Sequence, residues 1–202
     1  MPRSFTEDER KYIKQRLVEQ AKICLEQYGV RRTTVDELVK RANIPKGTFY
    51  LFYSSKELVF FDVLSELHEQ LHTHIIGHVQ SMGESATARD VADLCMGVFQ
   101  MVDQSLLHRL IEDGELELLM RKLPPEVAAA HAGEDDMSME KLISLLPGVH
   151  IRPERIAVYS AAMRAVFLTT LHRHEVGDEL FDDALRVMLE GVIMQMFEEN
   201  EA

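Results

Sequence analysis

Apolar residues recur along this chain at intervals of three and four, the period of helices that each bury one face. Ile13, Leu17, Val18, Ala21, Cys24, Leu25 and Tyr28 form the first such stripe. Thr6-Glu7-Asp8-Glu9 fits a capping box at its start, and Gly29 supplies a left-handed stop. A second helix of about two turns is predicted from Thr34, with Glu37 completing another capping box and Val35, Leu38, Val39 and Ala42 facing inward. Asn43-Ile44-Pro45 breaks it, because Asn tolerates left-handed backbone and Pro favours a fresh helix start. The third helix, Lys46 to about Tyr53, is short. Ser54-Ser55-Lys56-Glu57 caps a long fourth one running through Leu58, Phe61, Leu64, Leu67, Leu71 and Ile75, with its exit within 77–85. Five more helices are expected near 87–104, 105–122, 125–146, 153–174 and 178–198, punctuated by Pro124-Pro125, Pro147-Gly148 and Gly177-Asp178. No segment alternates with the period of a strand. The fold class is all-α.

Charge divides the chain at the same place as the hydrophobic pattern. The net charge is −12, yet residues 1–56 carry +5 and residues 57–202 carry −17. A basic head on an acidic body suits a protein whose head meets phosphate, since duplex DNA is bound largely through cations. With 46% hydrophobic residues there is material for a large core. Neither a signal-peptide pattern nor an apolar run of membrane-spanning length is expected, and Cys24 and Cys95 read as small buried hydrophobes in a reducing compartment. A soluble, cytoplasmic protein follows from these features.

Two short helices joined by a tight turn, the second carrying polar side chains, make a helix-turn-helix. Its first helix braces the second, whose N-terminal half enters the major groove. Around the third helix Phe49, Phe52 and Tyr53 gather on one side, toward Leu38, Ala42 and Ile44. Gly47, Thr48, Tyr50 and Leu51 point away, flanked by Lys46. Thr48 suits a base edge or phosphate, Gly47 close backbone approach, Tyr50 a phosphate, and Leu51 a thymine methyl. Thr33 and Thr34 before the second helix, and Lys56 at the start of the fourth, are placed to hold phosphates at helix N-termini.

The stretch from Thr33-Thr34-Val35-Asp36-Glu37-Leu38 through Ala42-Asn43-Ile44-Pro45-Lys46-Gly47-Thr48-Phe49-Tyr50 to Ser55-Lys56-Glu57-Leu58 resembles the DNA-binding head of the TetR family of bacterial regulators. The likeness covers roughly residues 8–68, with the motif itself at about 34–53. It implies a dimer that represses a promoter and lets go when a small molecule enters its body. Asn43 stands where that family usually has Gly, and Pro45 where it often has Ser. On this reading 1–56 is the DNA-binding head and 57–202 a regulatory, effector-binding and dimerising domain. Its partners are double-stranded operator DNA, a second copy of the chain and a small-molecule effector, with no membrane, cofactor or catalysis.

A competing constellation lies on the fourth helix. His68-Glu69-Gln70-Leu71-His72 matches H-E-x-x-H, in which two histidines share a face for zinc and the glutamate serves as base. His74 and His78 repeat the spacing. An α-helical metal-binding or hydrolytic protein is therefore the alternative reading. Against it, nine histidines in one chain produce such spacings by chance, and a zincin needs a third ligand and a cleft.

The body offers two further expectations. Met96, Phe99, Met120, Met163 and Phe167 are candidates for an effector pocket, because Met and aromatics adapt to apolar ligands. Glu112-Asp113-Gly114-Glu115 and Glu134-Asp135-Asp136 read as exposed loops. The last helix is apolar on more than one stripe, so one face wants a partner. With small residues on the helix before it, the expected dimer interface is Ala161, Ala165, Leu185, Met188, Val192 and Met196.

Overall fold

The computed structural model describes residues 5–83, 85–149 and 151–199, excluding the side chains of 132–139. Described residues are helical or in turns, with no strand among them. In chain order the helices are α1 (Glu7–Arg32), α2 (Val35–Ala42), α3 (Lys46–Phe49), α4 (Lys56–Ser81), α5 (Ala88–Asp103), α6 (Leu106–Glu112), α7 (Glu115–Lys122), α8 (Pro125–Ser144), α9 (Pro153–Thr169), α10 (Arg173–Val176) and α11 (Phe181–Glu198).

Local chemistry explains most boundaries. Thr6 and Glu9 form the reciprocal capping box that opens α1. Thr34 accepts the Glu37 N–H at 3.2 Å, but the returning half of that expected box is missing. The Glu37 carboxylate takes the Arg41 guanidinium at 2.6 Å instead. Asn43 sits at φ 53°, ψ 48°, the left-handed conformation required between α2 and α3.

Three helices differ from expectation. Residues 105–122 are divided, because Gly114 at φ 64° ends α6 and starts α7. The helix from Pro153 ends at Thr169 and passes through a 3₁₀ turn, Thr170–His172, into the single turn of α10. α3 stops at Phe49, after which Phe52 and Tyr53 donate their N–H groups to the Phe49 carbonyl in a closing turn. Glu134, Asp135 and Asp136, expected in a loop, fall within α8, and their side chains lie outside those described.

The chain forms two compact units. The first comprises Met1–Glu69 and Arg109–Ala128, and the second Gln70–His108 and Ala129–Ala202. Leu17, Ala21, Cys24, Val30, Leu38, Phe49, Val59, Phe60 and Leu119 lie at the centre of the first, all inaccessible to solvent. Burying each large side chain stabilises the unit by about 1.5–3 kcal/mol. The second is built on Val91, Met96, Phe99, Tyr159, Met163, Val166, Leu185, Leu189, Ile193 and Met196, drawn mainly from α5, α9 and α11. Cys24 is buried and Cys95 half-buried; both are free thiols, and burial pushes Cys95 up to about 12. No helix among the described residues is long and apolar enough to cross a membrane.

Candidate nucleic-acid interface

α3 is a single turn, too short to hold itself together, so its orientation comes from what it rests on. Phe49 is fully buried and Tyr53 nearly so, with ring centroids 5.9 Å apart. Phe52 closes the end of the turn under the Arg10 guanidinium, 5.0 Å from its ring centre. With these three rings inward, the intervening positions are turned out. Tyr50 and Leu51 are 52% and 57% exposed, high values for such side chains. Lys46 and Gly47 are exposed as well, Thr48 is half-exposed, and a Cβ at Gly47 would meet nothing within 4 Å. The expected reading surface of Lys46, Gly47, Thr48, Tyr50 and Leu51 is thus assembled on one side of the first unit.

The Lys46 ammonium lies 2.8 Å from Asp36, and that hydrogen bond raises its pKa above the ordinary lysine value. α2 is braced from behind by Arg41, whose guanidinium donates to Tyr28 Oη at 3.0 Å and Gln27 at 3.1 Å. Thr34 is exposed at the start of α2 with its hydroxyl occupied as cap.

Two residues expected to hold phosphate have other posts. Thr33 is buried, its hydroxyl donating to the Gly29 carbonyl at 2.8 Å. Lys56 is half-buried, and its ammonium donates to the carbonyls of Val30 at 2.7 Å and Thr33 at 2.6 Å. Burial lowers its pKa below the ordinary lysine value. Both residues anchor the connection between α1 and α2 instead of presenting a free donor outward.

That connection also involves a residue the sequence reading placed in an exposed loop. Glu115, the first residue of α7, is only 13% exposed. Its Oε2 accepts the N–H groups of Val30 at 2.8 Å and Arg31 at 3.1 Å. A contact across eighty-odd residues leaves no trace in helical spacing. The available signals were Gly29, whose turn frees two amides, and an acid opening a helix.

The expected effector residues do not all meet. Met96, Phe99 and Met163 are buried together, and Phe167 packs against them with its ring 5.6 Å from Phe99. Met120 belongs to the first unit and is not among the residues of that cluster. The expected dimer residues also divide. Leu185 and Met196 are core residues at 3% and 1% exposure, because α11 turns that stripe toward α5 and α9. Met188 and Val192 are half-buried at its margin. Ala161 and Ala165 face outward, in line with the exposed Val158 and Leu168 on α9. On α11 the outward line is Val187, Gly191 and Met194, which the expectation missed; Val187 is 70% exposed.

Among the described residues no group of three or more His, Cys, Asp or Glu side chains is placed to hold a metal ion. His68, Glu69 and His72 therefore gain no further ligand from His, Cys, Asp or Glu there. The Nε2 atoms of His74 and His78 lie 3.0 Å apart.

The model of a family described as bacterial regulatory proteins, tetR family, matches residues 17–63. YuxN, an uncharacterised HTH-type transcriptional regulator of Bacillus subtilis (strain 168), is 30% identical over 69 residues. That stretch is 34% of this chain and spans only 23% of the relative's length. Among solved structures, a TetR-family transcriptional regulator of Pectobacterium atrosepticum is similar with a TM-score of 0.66 and 14% identity, covering 95% of both chains. FadR of Thermus thermophilus, a TetR-family transcriptional repressor solved with lauroyl-CoA, is similar with a TM-score of 0.60 and 22% identity, covering 92% of this chain and 93% of that one.

Proposed function

We propose that the chain is a dimeric repressor of the TetR family of bacterial regulatory proteins, whose model its residues 17–63 match, that it reads a palindromic operator, and that it leaves the operator on binding a small molecule. The observation that carries this reading is the outward display of Lys46, Gly47, Thr48, Tyr50 and Leu51 over the buried Phe49 and Tyr53. A tyrosine hydroxyl and a leucine side chain standing in water side by side suit a phosphate and a thymine methyl in a major groove. The DNA-binding head is the part contributed by residues 1–56, the remainder being regulatory and cytoplasmic like the head it serves.

Dimerisation is supported by the apolar outer lines of α9 and α11 in the second unit, which a monomer would leave in water. A two-fold axis through those lines makes a four-helix interface, and the same axis sets two heads on successive major grooves about 34 Å apart. For the effector, the cluster of Met96, Phe99, Met163 and Phe167 favours an apolar molecule, in keeping with the acyl chain carried by the Thermus thermophilus relative.

Selection from a pool of randomised duplexes, followed by anisotropy titration at several salt concentrations, tests the DNA-binding reading. Enrichment of a palindrome, bound with an affinity that falls steeply with salt, is expected. Equal binding of every duplex, or of none, refutes it.

A further inference from the structure

Residues 29–33 join α1 to α2, and their backbone is held from two sides by opposite charges. Gly29 at φ 72°, ψ −178° turns the chain so that successive N–H groups converge on one point. The Glu115 Oε2 occupies that point, bonded to the amides of Val30 and Arg31. Its Oε1 lies 3.7 Å from the Arg31 Nε. The Val30 carbonyl and that of Thr33 meanwhile take the Lys56 ammonium. Residue 30 thus donates to an anion and accepts from a cation, with its own side chain fully buried. Charge-assisted hydrogen bonds in such surroundings are short and directional, so they fix orientation as well as proximity.

The fit is close. A Cβ on Gly29 would lie 3.2 Å from the Glu115 Cδ, inside comfortable contact, besides requiring a positive φ. Directly after the clamped peptides comes Thr34, the N-cap of α2, and α2 in turn carries α3 through the Asn43 turn. A change of angle at residues 30–33 is therefore passed to the whole reading surface. Glu115 itself is contributed by Arg109–Ala128, a segment that joins the first unit from a distant part of the sequence.

We propose that Glu115 is a positioning residue for DNA recognition: its carboxylate, opposite Lys56, sets the angle at which the helix-turn-helix leaves α1. The proposal rests on the DNA-binding reading and adds to it a residue of α7 far from the groove. A displacement of α7 that withdrew the carboxylate would release two amides and loosen the head without any change within 1–56.

The test uses the full chain and a duplex selected with the wild-type protein. Glu115→Ala is expected to lower affinity for that duplex by roughly tenfold or more while changing affinity for an unrelated duplex less than about twofold. Glu115→Gln, which keeps an acceptor without the charge, is expected to fall between Ala and wild type. Amide hydrogen exchange at Val30 and Arg31 should accelerate in the same order. Because Glu115→Ala also lowers stability, Leu189→Ala in the core of the second unit serves as a destabilised control, all proteins being assayed well below their unfolding transitions. That control should keep the wild-type ratio of specific to non-specific affinity. Wild-type specificity in Glu115→Ala overturns the proposal, as does an equal loss of specificity in Leu189→Ala. A wild-type protein that enriches no duplex removes the DNA-binding reading, and this proposal with it.

Discussion

The two units are held in different ways. In the first, polar ties between distant segments do much of the specifying: Glu115 to the amides of Val30 and Arg31, Lys56 to the carbonyls of Val30 and Thr33, and Lys14 and the Tyr53 hydroxyl to Asp62. In the second, a wide apolar cluster drawn from α5, α9 and α11 does the same work, and charge pairs such as Arg186 with Asp93 lie at its exposed margin. Directional bonds define an angle, as a reading surface requires. Non-directional packing fills a core without fixing the angle at which one segment leaves another.

Breaking the apolar outer face should have the largest effect. Val187→Glu, or Ala161→Arg on the neighbouring line, is expected to give a monomer by sedimentation. Operator affinity should then fall by about 100-fold or more, because two linked heads gain effective concentration that one head lacks. A dimer of normal affinity in both variants would move the interface elsewhere.

These two positions also mark how far the sequence could be read. The apolar excess along α11 points to more than one stripe in need of cover, but not to which stripe meets its own unit. Leu185 and Met196, expected at a partner, lie in the core of their own unit; periodicity gives angles around a helix and no origin for them. The head was more legible. Asn43, Pro45 and the Phe49/Tyr53 spacing fix the turn and the inward face locally, so its exposed side is legible from spacing alone. Thr33, Lys56 and Glu115 escaped because their partners lie on other elements, and a lysine destined for two carbonyls looks, in sequence, like one destined for phosphate.

Core substitutions should separate the units next. Phe49→Ala is expected to cost about 3–5 kcal/mol and Leu189→Ala about 2–5 kcal/mol in chemical denaturation. Only the former should abolish DNA binding under conditions where both proteins remain folded. If Leu189→Ala abolishes it equally, the two regions are not separable in this sense.

Tyr50→Ala and Leu51→Ala both alter the exposed side of the turn, and Tyr50→Ala also gives up an edge contact with the buried Phe49 ring at 5.4 Å. Each should weaken specific binding by about 1–3 kcal/mol, with a thermal midpoint within about 1 °C of wild type for Leu51→Ala and a small decrease for Tyr50→Ala. Unchanged affinity in both would take this turn out of the groove.

The smallest effect concerns pH. Tyr53 Oη donates to Asp62 at 2.6 Å, and burial, with that bond, raises its pKa above the ordinary value of 10.0. A phenol whose folded pKa is raised keeps its contribution below the unfolded value and loses it as pH climbs beyond 10. Stability of the wild type should therefore decline above pH 10, and Tyr53→Phe should remove part of that decline. At neutral pH the same variant should cost about 1 kcal/mol for the lost hydrogen bond. Identical alkaline curves for the two proteins would place the titrating group elsewhere.

The brevity of α3 has an evolutionary side. One turn anchored by Phe49 and the following Tyr53 leaves the side chains of Gly47, Thr48 and Leu51 with few structural duties, while Lys46 pairs with Asp36 and Tyr50 sets its edge against Phe49. Mutations at Gly47, Thr48 and Leu51 can accumulate and be sorted by the promoter alone, since folding scarcely registers them. A duplicated copy of such a gene could acquire a new operator in a few steps while its second unit stays as it was. It could also lose the old operator as quickly, which would keep the two copies from interfering with one another.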